Sequence, residues 1–338
     1  MMPSEKRLKS VIGRIVPTDA MQGVRAQERL DNLTKPLGSL GRLEQLGVQL
    51  ARIRRTVHPQ VDNAAVMICA ADHGVVAQGV TGFPSEVTGL MVANFEHAGA
   101  AVNQIAEVCN AQVHVYDVGV GKPTADLSKG PAMSREACVE AVLQGVDALA
   151  RLYEEGIDIV CLGEMGIGNS TAAAALTAAF TKTAATEVVG RGAGLDDETL
   201  RHKIQIVQRA LHVNAVETLD ALGILAAVGG FEIAMMTGII LGAASLSLPV
   251  VSDGFIAGSA VLAAVALAPL TLDYLIFSHR SAEPGHEAIY RYLKVRPLFE
   301  LDMRLGEGTG ATLALPFIRS ATRILSNMAT FQEAGILL

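Results

Sequence analysis

The sequence predicts an α/β protein, a parallel Rossmann-like sheet of about six strands flanked by helices, with a small helical domain made from both chain termini. Three observations lead there. Short apolar, β-branched runs alternate with helical stretches through the middle of the chain, several of those runs end in Gly, Asp, Glu or His, and the pattern turns to helix without strand before residue 60 and after about residue 295.

Taken in order, Leu40-Gly41-Arg42-Leu43-Glu44-Gln45-Leu46 carries apolar residues at helical spacing near the amino end. Strand candidates follow at Ala65–Ala70, Val113–Val118, Ile157–Leu162, Glu187–Val189, Pro249–Val251 and Tyr274–Phe277, and helical spacing returns in Pro316–Met328. Residues 1–60 with 296–338 are therefore expected to form the small helical domain, and 61–295 the catalytic sheet domain. In an open parallel sheet the ligand crevice lies at the carboxyl ends of the strands. The polar tips Ala71-Asp72-His73-Gly74, Asp117-Val118-Gly119, Gly163-Glu164, Ser252-Asp253-Gly254 and Ser278-His279 should then converge.

Composition narrows the function. A chain of 338 residues with 50% hydrophobic content can bury a substantial core. Its 27 basic and 34 acidic residues give a net charge of -7 with no basic block to track a phosphate backbone, which argues against nucleic acid as partner. Aromatic residues are only 4% while Gly reaches 33, which suits helices packed closely on a parallel sheet. Cys69, Cys109, Cys138 and Cys161 stand far apart, as reduced thiols of a cytoplasmic protein would. The opening MMPSEKRLKSVIGRIV lacks the apolar run of a signal peptide, so no export is implied. Residues 233–252 and 254–272 are uncharged and long enough to span a bilayer, yet Pro249 and the Ser252-Asp253-Gly254 turn interrupt them. They read as a buried helix, a short strand and a second buried helix, with no membrane contact.

Four segments can carry chemistry. In Gly163-Glu164-Met165-Gly166-Ile167-Gly168-Asn169-Ser170 an apolar strand runs through glycines into a helix start, where backbone N–H groups can cradle a phosphate or simply make a tight turn. No Lys follows the last glycine, so it is not a Walker turn. Gly190-Arg191-Gly192-Ala193-Gly194 precedes the helix-starting acids Asp196-Asp197-Glu198 and then Lys203, which from spacing alone reads as solvated. His279, Glu283 and His286 are metal-ligand types, but Pro284 and Gly285 break the helical face that zinc would need, and no metal is expected. Arg304-Leu305-Gly306-Glu307-Gly308-Thr309-Gly310-Ala311 sets one carboxylate among glycines. Partial desolvation there could raise its pKa and make it a general base, although a surface Glu is the simpler reading of that spacing.

Together with Lys35-Pro36-Leu37-Gly38-Ser39-Leu40-Gly41, ADHGV at 71–75, FPSEVT at 83–88, GRGAGLDD and SHRSAEPGH, these segments make nearly the whole chain resemble the nicotinate-nucleotide:dimethylbenzimidazole phosphoribosyltransferase family of cobamide biosynthesis. The resemblance implies a homodimer that needs no cofactor. It also implies transfer of the 5-phosphoribosyl group of nicotinate mononucleotide to a ring nitrogen of dimethylbenzimidazole, with inversion at C1'. By the same resemblance Glu307 matches the catalytic base. Glu164, Gly166, Gly168, Asn169, Gly192, Lys203, Asp253 and Ser281 match the donor phosphate and ribose site, and Gly82, Phe83, Pro84, Leu90, Met165 and Leu305 match the acceptor pocket. The nicotinate ring leaves as a neutral pyridine from a single-phosphate donor, and neither feature demands a metal.

One departure stands near the acceptor. Where the family often places Gln after FPSEVT, Gly89-Leu90-Met91 follows, which suggests an apolar wall and a pocket open to other benzimidazoles, phenolic or purine-like bases. A nicotinamide-dependent dehydrogenase is a weaker reading, since it calls for an acidic residue at a strand end about 20 positions after the glycines. A non-catalytic carrier of a cobamide precursor is the other.

Overall fold

The computed structural model describes residues 2–192 and 194–336; Met1, Leu337, Leu338 and Ala193 of the GRGAG turn lie outside the described residues. Five strands, Ala64–Ala71 (β1), Ala111–Gly119 (β2), Ile159–Met165 (β3), Val250–Ser252 (β4) and Leu275–Phe277 (β5), form one sheet in the order β2-β1-β3-β4-β5. Every pairing is parallel. Helices cover both faces, which is why every residue of β1 is buried and why its sequence is a continuous apolar run rather than an alternating one.

The fold class is as expected, with one strand candidate corrected. Glu187–Val189 is not a strand: Ala185–Val188 forms a single helical turn, and the Val189 N–H donates to the Ala185 carbonyl. Val188 is buried against neighbouring helices rather than beside another strand, so the β-branched pair is put to use in helix packing.

The uncharged stretches became the helix Phe231–Ser245, β4, and the helix Phe255–Leu267. Among the described residues no helix is long and apolar enough to cross a membrane. The first of these helices lies against Arg135–Glu154 with the two backbones in contact. A Cβ added at Gly238 would stand 1.8 Å from the Val142 carbonyl oxygen, and one at Gly145 would stand 2.0 Å from that of Met235. Gly238→Ala should therefore force the helices apart and destabilise the fold by about 1–3 kcal/mol, read as a lower midpoint in chemical denaturation.

The chain ends meet on one side. Helices Ala20–Asp31, Arg42–Arg54 and Leu315–Asn327 close around Ala26, Leu30, Leu33, Ala51 and Leu325. The first helix, Pro3–Ile12, instead packs on Arg135–Glu154 and buries Leu8 in the main core.

Candidate active site

The strand order reverses direction at β1, so the crevice beyond the carboxyl ends of β1 and β3 is where an open α/β sheet leaves room for a ligand. A cavity of about 710 Å³ opens there, a size suited to a small-molecule substrate. Its floor is the turn after β3. Gly168, with φ +94°, caps the helix Asn169–Thr181, and no side chain occupies that cap. The positive end of the helix dipole therefore faces the cavity. The Ile167 N–H is tied to the hydroxyl of buried Thr88 at 3.1 Å, which fixes the turn against the helix Glu86–Glu96.

The lysine that a Walker turn would carry locally arrives from another element. Asp196 caps the helix Asp197–Val213 by accepting from Thr199 N–H, and the inward face of that helix delivers Lys203 to the cavity. Lys203 is only 1% exposed, and its Nζ donates to Ser170 Oγ at 2.8 Å and to the Gly190 carbonyl at 3.4 Å. Burial pushes its pKa down to about 8, opposed by the nearby Glu283 carboxylate. Glu283 also lines the cavity, and its Oε2 has no hydrogen-bond partner.

The cavity also meets a group of carboxylates. Glu307 lies between Gly306 and Gly308, and all three have positive φ, of +84°, +61° and +85° in the order 306, 307 and 308. Backbone N–H donors fix this loop: Glu307 to Glu164 Oε1 at 3.3 Å, Gly308 to Asp253 Oδ2 at 3.2 Å, and Ala311 to Asp253 Oδ1 at 2.9 Å. Glu164 accepts the Asn169 amide on its other oxygen. Desolvation, then the charge of Asp253, pushes Glu164 up to about 8 and Glu307 up to about 7. Glu307 Oε2 is buried with no partner, and among the described residues Oε1 accepts no hydrogen bond either, which leaves the carboxylate free to take a proton.

Of the expected donor residues, Glu164, Gly166, Gly168, Asn169, Gly192, Lys203 and Ser281 line the cavity together. Asp253 does not: its two oxygens are spent on the backbone of the Glu307 loop, so it supports that loop from behind. Of the expected acceptor residues, Phe83, Met165 and Leu305 line the cavity, while Gly82, Pro84 and Leu90 do not. Leu90 is 69% exposed, because the helix Glu86–Glu96 turns Val87 and Met91, four residues apart and so on one face, toward the cavity. Val87 and Met91 therefore join Phe83, Met165 and Leu305 in the apolar wall, in the place expected of Leu90. The fourfold spacing of Val87 and Met91 was the available signal. Arg191 and Arg304 at the rim were also missed as cavity groups, and Arg304 Nη1 donates to the Gly192 carbonyl at 3.1 Å.

His279 and His286 sit behind the site. Burial pushes His286 down to about 3, so its neutral Nδ1 accepts the Ser281 N–H at 3.0 Å and holds that turn. His279 Nδ1 lies 3.0 Å from Ser278 Oγ. Among the described residues no group of three or more His, Cys, Asp or Glu side chains is placed to hold a metal ion.

A helix start, a buried lysine and a desolvated carboxylate lining one cavity at the switch point of a parallel sheet fit an α/β enzyme for an anionic small molecule. Comparison with known proteins makes the class specific. A family model described as phosphoribosyltransferase matches residues 15–336, and the chain belongs to that family. It is 46% identical over 344 aligned residues to the nicotinate-nucleotide–dimethylbenzimidazole phosphoribosyltransferase of Chloroflexus aurantiacus, covering 97% of this chain and 98% of that one. It is 47% identical, with the same coverage, to the protein of that name from a Roseiflexus species. The crystal structure of the Thermus thermophilus protein so named superposes with a TM-score of 0.90 at 44% identity, covering 95% of this chain and 99% of that one.

Proposed function

We propose that this phosphoribosyltransferase takes the 5-phosphoribosyl group from nicotinate mononucleotide and places it on a ring nitrogen of 5,6-dimethylbenzimidazole, giving α-ribazole 5'-phosphate and nicotinate for cobalamin biosynthesis. The observation that carries this reading is one cavity lined by an anion site, an unpartnered, desolvated carboxylate and an apolar wall. Phosphate sits on Lys203, Ser170 and the Gly166–Gly168 turn. Glu164, held protonated by burial, donates to a ribose hydroxyl while Asn169 keeps it in place. The acceptor ring lies among Phe83, Val87, Met91, Met165 and Leu305, covering the half-exposed side chains of Phe83 and Leu305.

The acceptor nitrogen attacks C1' on the face opposite nicotinate. The new C1'–N bond forms as the bond to the pyridinium breaks and its electron pair returns to the departing ring. The proton on the other imidazole nitrogen passes to the Glu307 carboxylate. Holding both rings against C1' supplies much of the acceleration.

The pKa directions give a pH profile. Glu307 must be deprotonated to act, so kcat/KM for the donor should rise as pH passes about 7. Lys203 must be protonated to hold phosphate and Glu164 to donate to the ribose, so kcat/KM should fall as pH passes about 8. A narrow bell is expected, and a rate that climbs steadily to high pH would remove Lys203 from donor binding.

Mass analysis of the products formed from nicotinate mononucleotide and a mixture of bases tests the reaction itself. Absence of any ribosylated base would refute it. The apolar acceptor wall favours a second reading of the same reaction, in which other benzimidazoles, phenolic or purine-like bases are accepted, and strict preference for dimethylbenzimidazole in that mixture would exclude it. The reading carries with it a cytoplasmic homodimer that works on small molecules, without nucleic acid or membrane. Residues 1–60 with 296–338 supply a small helical unit from both chain ends, apart from the Pro3–Ile12 helix and the Glu307 loop, which join the sheet domain.

A further inference from the structure

β1 ends in Asp72-His73-Gly74, and the His73 side chain turns inward rather than into the cavity. Its Nε2 lies 2.8 Å from Glu232 Oε1, and both side chains are fully buried. Glu232 belongs to the first turn of the helix Phe231–Ser245, where the dipole favours a negative charge. Elsewhere that helix carries no charge and is buried from Ile233 to Ala244, so an ionisable pair at its start stands out.

Two close approaches show what the pair supports. A Cβ added at Gly166 would stand 2.6 Å from the Ala71 carbonyl oxygen and 3.4 Å from both Cδ2 and Nε2 of the imidazole, so the end of β1 and the ring together lie beneath the turn that lines the cavity floor. A Cβ at Gly230 would stand 2.4 Å from His73 Cε1 and 2.5 Å from Glu232 Oε2, so the backbone closes over the pair from the other side. His73 Nδ1 and Glu232 Oε2 are buried with no partner. A half-satisfied buried pair is a poor way to stabilise a core, and apolar residues of similar volume commonly do as well or better. Its position suggests another role.

Building on the donor site proposed above, we infer that His73 and Glu232 are positioning residues: the hydrogen-bonded pair is a rigid floor that holds the Gly166–Gly168 turn where its backbone meets the donor's phosphate and ribose. Neither side chain touches the substrate. Apolar side chains of similar volume fill the space but lack the hydrogen bond that fixes the ring, so the turn is held less firmly, and displacement on the ångström scale at such a site is enough to cost much of the binding.

The test uses the full chain carrying His73→Phe with Glu232→Met, and separately Glu232→Gln, which keeps a hydrogen-bond acceptor for the imidazole. Steady-state kinetics with nicotinate mononucleotide as varied donor should show the apolar double variant with a donor KM raised about tenfold or more. Its acceptor KM and its kcat at saturating donor should stay within about threefold of wild type. Its thermal midpoint should be unchanged or higher, and Glu232→Gln should restore most of the donor KM. A folded double variant with wild-type donor KM would overturn the inference, as would one whose kcat falls while donor KM stays constant. If the double variant does not fold, the Glu232→Ala variant replaces it with the same criteria. Wild-type enzyme that fails to turn over the donor would instead refute the proposed function, so the two failures are told apart.

Discussion

Replacing Glu307 with Gln is expected to lower kcat by about 10²–10⁴-fold while leaving donor affinity within about threefold. The amide keeps the shape of the side chain and cannot accept the imidazole proton. It is the sharpest test because the neighbours cannot stand in: Glu164 has an N–H donor on each oxygen, and Asp253 is engaged by the backbone at residues 308 and 311. Turnover near that of wild type would take Glu307 out of the role of base. The same residue holds a backbone conformation, φ +61°, that suits glycine. Strain of this kind persists where the surroundings impose it, and at functional sites it is often the cost of placing a group. Glu307→Gly should accordingly abolish turnover and stabilise the fold by about 1 kcal/mol, seen as a higher thermal midpoint. A destabilised Glu307→Gly would show instead that the carboxylate contributes to the fold.

What was legible in the sequence follows from how local each signal is. The parallel sheet could be read because β1 and β3 are buried on both faces and so appear as unbroken apolar runs flanked by polar tips. Glu187–Val189 misled because two adjacent valines pack equally well between helices, and only tertiary contacts decide that. Lys203 reads as solvated from its acidic neighbours at the helix start, yet it is among the largest fully buried side chains, since the other face of that helix turns toward Ser170. Glu307 likewise looks like a surface residue among glycines until Asp253 and Glu164 are seen to hold its loop. Only resemblance to a family could assign those two residues in advance. It placed Leu90 less well, because a match of position says nothing about which way a helix faces, and Val87 and Met91 take the wall instead.

Lys203→Met is expected to raise the donor KM by about 10–100-fold, the loss of a charge-assisted hydrogen bond to a phosphate in a desolvated site. Its effect on stability should run the other way. The folded pKa of about 8 lies below the ordinary lysine value of 10.5, so at neutral pH the amine is protonated in both states but is held less favourably when folded. That penalty is full below pH 8, fades between pH 8 and 10.5, and is absent above. Met removes it, with a gain on the order of 1–3 kcal/mol at neutral pH set against the lost contacts to Ser170 and Gly190. The variant should therefore melt higher than wild type at neutral pH, with the difference closing as pH approaches 10.5. Weaker donor binding in a more stable protein is the pattern of a residue kept for its ligand. A variant that both binds the donor as wild type does and melts lower would show that Lys203 serves the fold and that the phosphate lies elsewhere, with Arg191 and Arg304 at the rim the next cations to test.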